Sequence, residues 1–178
     1  MIKHFFWVLF TVMALSTSAQ KYVSESGVIT FFSEAAIENI EATNSKATSL
    51  LNVSTLEIAF SVPIREFQFD KKLMQQHFNE KYMESDKFPK STFAGKVEGF
   101  IRDKGGLQTV KANGVLTIHG VSKAVEIPGT IEIKNQSVTV RSKFIVNLID
   151  FNIKIPQLMW QNIAEQIEVT VEFTYKPQ

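Results

Sequence analysis

Residues 113–129 read NGVLTIHGVSKAVEIPG, and this stretch decides the predicted fold. Apolar and polar residues alternate in it twice, which is the two-residue period of a half-buried β-strand. The first run places Leu116 and Ile118 on one face, and the second places Val125 and Ile127 on one face. The rest of the chain must complete a sheet around this hairpin or fill the space that the sheet encloses.

The polar break between the two runs, residues 120–123, predicts a hairpin connection of a few residues. Thr117 and His119 fall opposite the apolar positions, so we expect both to face outward. His119 is therefore predicted to have a solvated or hydrogen-bonded surface role rather than a catalytic one. The other histidine outside the N-terminal leader, His77, falls on an apolar helix face, which favours a core or cavity-rim position.

The same alternation recurs along the chain and predicts about eight strands. They are expected at residues 27–33, 45–51, 54–64, 92–101, 107–118, 125–133, 138–148 and 167–176. Residues 35–40 fit either a helical turn or a bent strand. Short strands with one apolar face are typical of an antiparallel barrel or sandwich.

One α-helix is expected within this pattern, at about residues 70–83. Asp70 is a candidate N-cap, and the apolar side chains follow at spacings of three and four. A second, shorter helix or turn is expected near 156–163, with Pro156 at its first position. We expect the first helix to plug or gate one mouth of the barrel.

The N-terminus has the layout of a secretory signal peptide. Lys3 precedes an apolar core at residues 5–15, and small residues at 17–19 predict cleavage near Ala19. The apolar run is shorter than the roughly 20 residues of a membrane span. We therefore expect residues 20–178 to form one domain in the periplasm or outside the cell.

Composition excludes several classes of function. Without Lys3 the chain has 18 basic and 18 acidic residues, which argues against nucleic acid or stable membrane association. The chain has no cysteine, so disulfides, thiol catalysis and thiolate metal sites are excluded. The sequence contains no phosphate-binding loop, serine-nucleophile elbow or zinc motif, and we predict no catalytic residue, metal or cofactor. A homodimer is compatible with the sequence.

Phenylalanine is abundant, with 15 in the chain. An ordinary filled core and a hollow, apolar ligand cavity use the same residues. A structural domain with a solid core therefore stays open beside a ligand-binding barrel.

Three segments resemble the YceI-like family. Residues 114–123, GVLTIHGVSK, are similar to its Gly-x-Leu-Thr-x-x-Gly-Val-Thr-Lys signature, residues 87–93, KFPKSTF, to its aromatic-proline segment, and residues 147–153 to its Asp-Phe-Gly-Ile region. The chain departs from the family at Leu148 and Ile149, where many members carry arginine, and at Asn152, which replaces glycine.

The resemblance implies an exported eight-stranded lipocalin-like barrel that carries or stores a long apolar molecule, such as a polyisoprenoid or fatty chain. Together with strand parity, it predicts a set of cavity-lining residues. They are Phe60, Leu73, Met74, Phe78, Phe88, Phe93, Val97, Leu116, Ile118, Ile127, Phe144, Val146, Phe151, Val171 and Phe173.

Overall fold

A computed structural model describes residues 21–134, 137–156 and 163–177. These residues contain ten β-strands, all in one sheet. The strands are β1 (Lys21–Ser33), β2 (Ile40–Asn44), β3 (Thr48–Asn52), β4 (Glu57–Pro63), β5 (Gln68–Phe69), β6 (Lys90–Glu98), β7 (Gly106–Ile118), β8 (Val121–Lys134), β9 (Ser137–Asn147) and β10 (Gln166–Pro177).

Eight of these strands close into an antiparallel barrel. Their order around the barrel is β1, β3, β4, β6, β7, β8, β9 and β10, and β10 pairs back onto β1. The two short strands lie outside this ring, with β2 on the C-terminal half of β1 and β5 on β2. The prediction of a mainly β, eight-stranded barrel with one inserted helix is confirmed.

The β7–β8 hairpin is tighter than the sequence suggested. Strand pairing continues to Ile118 and Val121, so the connection is only His119 and Gly120. Both residues have positive φ, +51° and +74°, as in the type I′ turn that suits the twist of a hairpin. The prediction of a break at 120–123 was wrong because alternation continues through Val121. His119 lies in the turn and not on the outward face of a strand.

The inserted helix begins as α1 (Lys72–His77) and continues as a π-helical turn (Phe78–Tyr82). Asp70 does not cap it: the N-cap is Lys71, and no side chain caps the helix. The helix lies between β4 and β6 at one end of the barrel, which we call the helical end. Residues 64–89, which connect the neighbouring antiparallel strands β4 and β6, contain this helix and β5, and we call them the helical layer.

Several element boundaries differ from the predictions. β1 begins six residues earlier than expected, at Lys21, because its polar first half pairs with β10 and β3. Residues 34–39 form no helix or strand, and a 3₁₀ turn (Ile64–Glu66) follows Pro63, where β4 ends. β6 stops at Glu98, just before Gly99 with φ +82°. The signal peptide, residues 135–136 and most of the segment predicted as a short helix, 157–162, lie outside the described residues.

Tyr175 and Phe173 on β10 fill the barrel at the end opposite the helix, and both are fully buried. The hydroxyl of Tyr175 lies 2.6 Å from Oγ of Ser49, which donates to the carbonyl oxygen of Ala59 at 2.8 Å. Tyr175 must therefore donate to Ser49. Burial raises the pKa of Tyr175 well above its usual value. The ring of Phe173 fits only because Gly27, its partner across β1, has no side chain.

Candidate functional site: an apolar cavity inside the barrel

The barrel encloses a cavity of about 510 Å³ between the helix and Phe60. This volume lies within the roughly 300–1,000 Å³ of small-molecule sites. Twelve of the residues predicted to line a cavity do line this one. They are Phe60, Leu73, Met74, Phe78, Phe93, Val97, Leu116, Ile118, Ile127, Phe144, Val146 and Val171. They come from the inward positions of the barrel strands and from one face of the helical segment.

Phe88, Phe151 and Phe173 do not line the cavity. Phe88 packs against His119, with ring centroids 4.5 Å apart. Phe151 is buried in a 3₁₀ turn after β9. Phe173 lies beneath the cavity floor, in edge contact with Phe60 at 5.1 Å. The alternation along β10 correctly predicted that Phe173 faces inward. Alternation does not, however, give the position of a residue along the barrel axis.

A cluster of four phenylalanines closes much of the helical end. Phe78 of the π-helical turn lies 5.4 Å from Phe31, 5.6 Å from Phe67 and 5.0 Å from Phe69, measured between ring centroids. Phe31 also contacts Phe67 and Phe69 at 5.3 and 5.6 Å. Aromatic pairs at such distances contribute about 0.5–1.5 kcal/mol each beyond their burial. The cluster therefore fixes the helix on the barrel.

Phe31, Phe67 and Phe69 line the cavity but were missing from the predicted set. Phe67 and Phe69 alternate with the polar Gln68, and this alternation could have predicted a short strand with both rings on one face. No strand was predicted there, because the two residues follow Pro63 and lie outside the long alternating runs. Tyr82 and His77 also line the cavity at its helical end, and burial raises the pKa of Tyr82.

Polar groups inside the barrel are bound to the protein itself. The Ser142 hydroxyl donates to the carbonyl oxygen of Pro128 at 2.6 Å. Ser33 is buried, and its Oγ accepts a hydrogen bond from the backbone N–H of Ala164 at 2.9 Å. Charged lining groups belong to partly exposed residues, such as the Lys71–Glu38 ion pair at the helical end. The deep cavity therefore offers apolar surface and few free hydrogen-bonding groups.

The three sequence segments that carry the family resemblance meet outside this cavity, around His119. They are residues 87–93, 114–123 and 147–153. Its Nε2 lies 2.9 Å from Oε2 of Glu84, and its Nδ1 lies 3.3 Å from the carbonyl oxygen of Phe151. Phe88 packs on the imidazole, and its ring covers Gly120, where a Cβ atom would collide with it. The helical segment, the β7–β8 turn and the 3₁₀ turn (Leu148–Phe151) are thus joined at one residue.

Asn152, at the position where the family resemblance implies glycine, ends that 3₁₀ turn with φ +56°. Asparagine adopts this left-handed conformation more readily than other side chains do. The local backbone therefore explains why asparagine can replace glycine here. The His119 side chain is only 10 % exposed, so it is a structural contact and not the outward-facing residue that the sequence predicted.

A family model of the YceI-like domain matches residues 10–175. The chain belongs to the YceI-like family. The match covers every strand of the barrel and the segments that meet at His119. A sequence search of curated proteins finds no match.

Solved structures with the same fold share little sequence with this YceI-like chain. A polyisoprenoid binding domain from Saccharophagus degradans, implicated in plant cell wall breakdown, has a TM-score of 0.75 at 11% identity and covers 88% of this chain and 98% of its own. BcnA from Burkholderia cenocepacia has a TM-score of 0.70 at 14% identity, covering 83% and 95%. The YceI protein of Campylobacter jejuni has a TM-score of 0.57 at 15% identity, covering 99% of both chains. These similarities establish the fold.

The described residues lack two further features. None of their helices has the length and apolar character needed to cross a membrane. Within the same residues, no group of three or more histidine, aspartate or glutamate side chains could hold a metal ion.

Proposed function

We propose that this protein binds a long apolar molecule, a polyisoprenoid or a fatty chain, inside the barrel and carries or stores it. The observation that supports this most is the cavity of about 510 Å³ with its apolar wall. A molecule held there gains affinity from burial, at about 25 cal/mol per Å² of apolar surface, with few polar contacts.

The cavity volume limits how much of a chain fits inside. At about 510 Å³ the cavity falls within the size range of small-molecule sites, so it can hold at least part of a long apolar chain. Chains longer than the cavity would have to extend through an opening. Polyisoprenoid binding by the Saccharophagus degradans domain, which has the same fold, supports this ligand class.

The alternative, a structural domain with a solid core, is less well supported. Cores are packed to a density that leaves few voids larger than a water molecule. A void of this size in a barrel with a well-packed far end is unusual unless it is filled. The Ser142 and Ser33 hydroxyls of the cavity lining give catalysis little support, since both are already hydrogen-bonded to backbone groups.

Export to the periplasm or the cell exterior is part of the proposal. It is supported by the basic start, apolar core and small residues of positions 1–19. N-terminal sequencing of the mature protein from its native host would show the cleavage predicted near Ala19. An intact N-terminus in the cytoplasmic fraction would contradict export.

The binding proposal is tested by extracting the purified protein with organic solvent and analysing the extract by mass spectrometry. We expect an isoprenoid or fatty molecule in near-stoichiometric amount. The matched control is the variant Ala112→Phe, which places a bulky side chain inside the cavity and should yield less lipid. Equal lipid in both extracts would show surface adsorption, and no lipid in either would contradict the carrier role.

A further inference from the structure

The barrel wall is incomplete between β8 and β9. Pairing between these strands covers only residues 129–134 of β8 and 137–142 of β9. Beyond Gly129 and Ser142, and among the residues that the structure describes, the remaining eight residues of β8 pair only with β7, and residues 143–147 of β9 pair only with β10. We call these two unpaired edges, residues 121–128 and 143–147, the seam.

The local sequence explains why pairing stops there. Pro128 has no backbone N–H to donate, and the side chain of Ser142 donates to its carbonyl oxygen at 2.6 Å. Gly129 approaches the opposite strand so closely that a Cβ atom would lie 2.7 Å from the carbonyl oxygen of Arg141. The strands are thus held tightly at Gly129 and separate immediately beyond it.

The cavity lies directly against the seam. Ile127 and Phe144, which face inward on either side of the seam, both line it. Pro128 and Arg141 also border it, although both have outward parity. Arg141 is 45 % exposed and pairs on the outside with Glu132 and Glu172. The cavity wall therefore includes residues from both unpaired edges of the seam.

The two barrel ends are harder to open than the seam. At the helical end, moving the helix would separate Phe78 from Phe31, Phe67 and Phe69. The far end is filled by fully buried Phe173 and Tyr175. Separating the seam breaks no β8–β9 backbone pairing among the described residues.

We infer that the apolar ligand enters and leaves the cavity sideways, through the seam, and that a chain longer than the cavity extends out there. This inference rests on the proposed function. Ile127 and Phe144 then form the apolar edges of the entrance. The Arg141 ion pairs lie beside it on the outer surface.

The test is a covalent crosslink across the seam in the full chain, which has no natural cysteine. Continuing the register from Gly129 and Ser142 places Glu126 opposite Ile145, and both side chains are more than half exposed. The variant Glu126→Cys/Ile145→Cys is joined with a flexible bis-maleimide. Binding and release of cis-parinaric acid, a fluorescent fatty acid, are then followed by stopped flow.

Two crosslinked controls locate the effect. Glu132→Cys/Thr139→Cys joins the same two strands where they are already paired. Arg65→Cys/Asp86→Cys replaces an exposed ion pair at the helical end, and neither residue lines the cavity. We expect the seam crosslink to slow both association and dissociation by about tenfold or more, with little change in Kd, and the controls to leave both rates unchanged.

Slowing by the helical-end crosslink, with unchanged rates in the seam variant, would overturn the inference and place the entrance at the helix. If none of the variants binds the probe before crosslinking, the proposed function itself is contradicted. The two failures are therefore distinct.

Discussion

Nε2 of His119 lies 2.9 Å from Oε2 of Glu84, joining the turn of the β7–β8 hairpin to the end of the helical segment. Both residues have positive φ, +51° and +42°. Such backbone conformations are unfavourable for most side chains and persist where surrounding contacts hold them. The pair therefore holds the helical layer in place on the barrel, over one end of the cavity.

The substitution His119→Asn distinguishes the stabilising effect of the His119–Glu84 contact from the conformational preference of the turn. Asn-Gly is the favoured pair in a two-residue hairpin turn, so turn preference alone predicts a more stable protein. The lost hydrogen bonds to Glu84 and Phe151 predict the opposite, a loss of about 1–3 kcal/mol in the free energy of unfolding. We expect the loss, measured by urea denaturation.

The control for this variant is Lys123→Ala, an exposed position in the same hairpin. It should change the free energy of unfolding by less than about 0.5 kcal/mol. Unchanged or higher stability of His119→Asn would show that the His119 contacts do not hold the helical layer.

The barrel could be predicted from sequence because alternation survives in every long strand, and the inward residues of β6 and β7 were correctly identified. The tight turn at His119 could not be predicted from the sequence. Histidine adopts positive φ there because Glu84 and Phe151, which are distant in sequence, form hydrogen bonds with its ring. The absence of an Asp70 cap has a similar origin. The helix is placed by packing of Phe78, so a local capping signal did not determine where it starts.

A second prediction concerns Gly27 and Phe173. A Cβ atom at Gly27 would overlap the Phe173 ring, which is fully buried and cannot move aside freely. Gly27→Ala should therefore lower the free energy of unfolding by about 1–3 kcal/mol. In a Phe173→Leu background the same change should be much less damaging, a non-additivity that a double-mutant cycle measures.

Gly105→Ala is the matched control for this cycle. A Cβ atom at Gly105 meets no other atom within 4 Å, and its φ is not in the left-handed region. The change should be nearly neutral. Additive effects of Gly27→Ala and Phe173→Leu would contradict the steric account of the far end.

A third prediction concerns stability at alkaline pH. The pKa of Tyr175 is raised in the folded protein by burial, so the unfolded chain loses this proton first as pH rises. The stability that depends on neutral Tyr175 is present below its unfolded pKa, about 10, and is lost progressively above it. Tyr175→Phe removes this dependence and also the hydrogen bond to Ser49.

At pH 7, Tyr175→Phe should be less stable than the parent by about 0.5–1.5 kcal/mol. At pH 11 the difference should shrink or reverse, because the parent has lost about 1.4 kcal/mol from this group. Chemical denaturation at both pH values measures it. A constant difference between the two proteins would mean that Tyr175 ionises in the folded state as easily as in the unfolded one.

The candidate site was less predictable than the fold. Strand parity identified most of the wall, including Phe60 and Phe93, but it carries no information on depth and so included Phe173. The position of the seam depends on where β8 and β9 stop pairing. The hydrogen bond between Ser142 and Pro128 marks this point, and the sequence does not show that these two residues are neighbours. Whether the barrel was hollow could not be inferred from composition, because core and cavity use the same side chains.

The central claim, that the cavity is the binding site, is tested most directly by titrating cis-parinaric acid into the parent and into Ala112→Phe. Ala112 lines the cavity, and a larger side chain there occupies the ligand's volume. Ala94→Phe, an exposed position on the outer face of β6, is the matched control. The account predicts saturable binding to the parent and to Ala94→Phe, and at least about tenfold weaker binding to Ala112→Phe with its fold intact by circular dichroism. Equal affinity for all three proteins would contradict it.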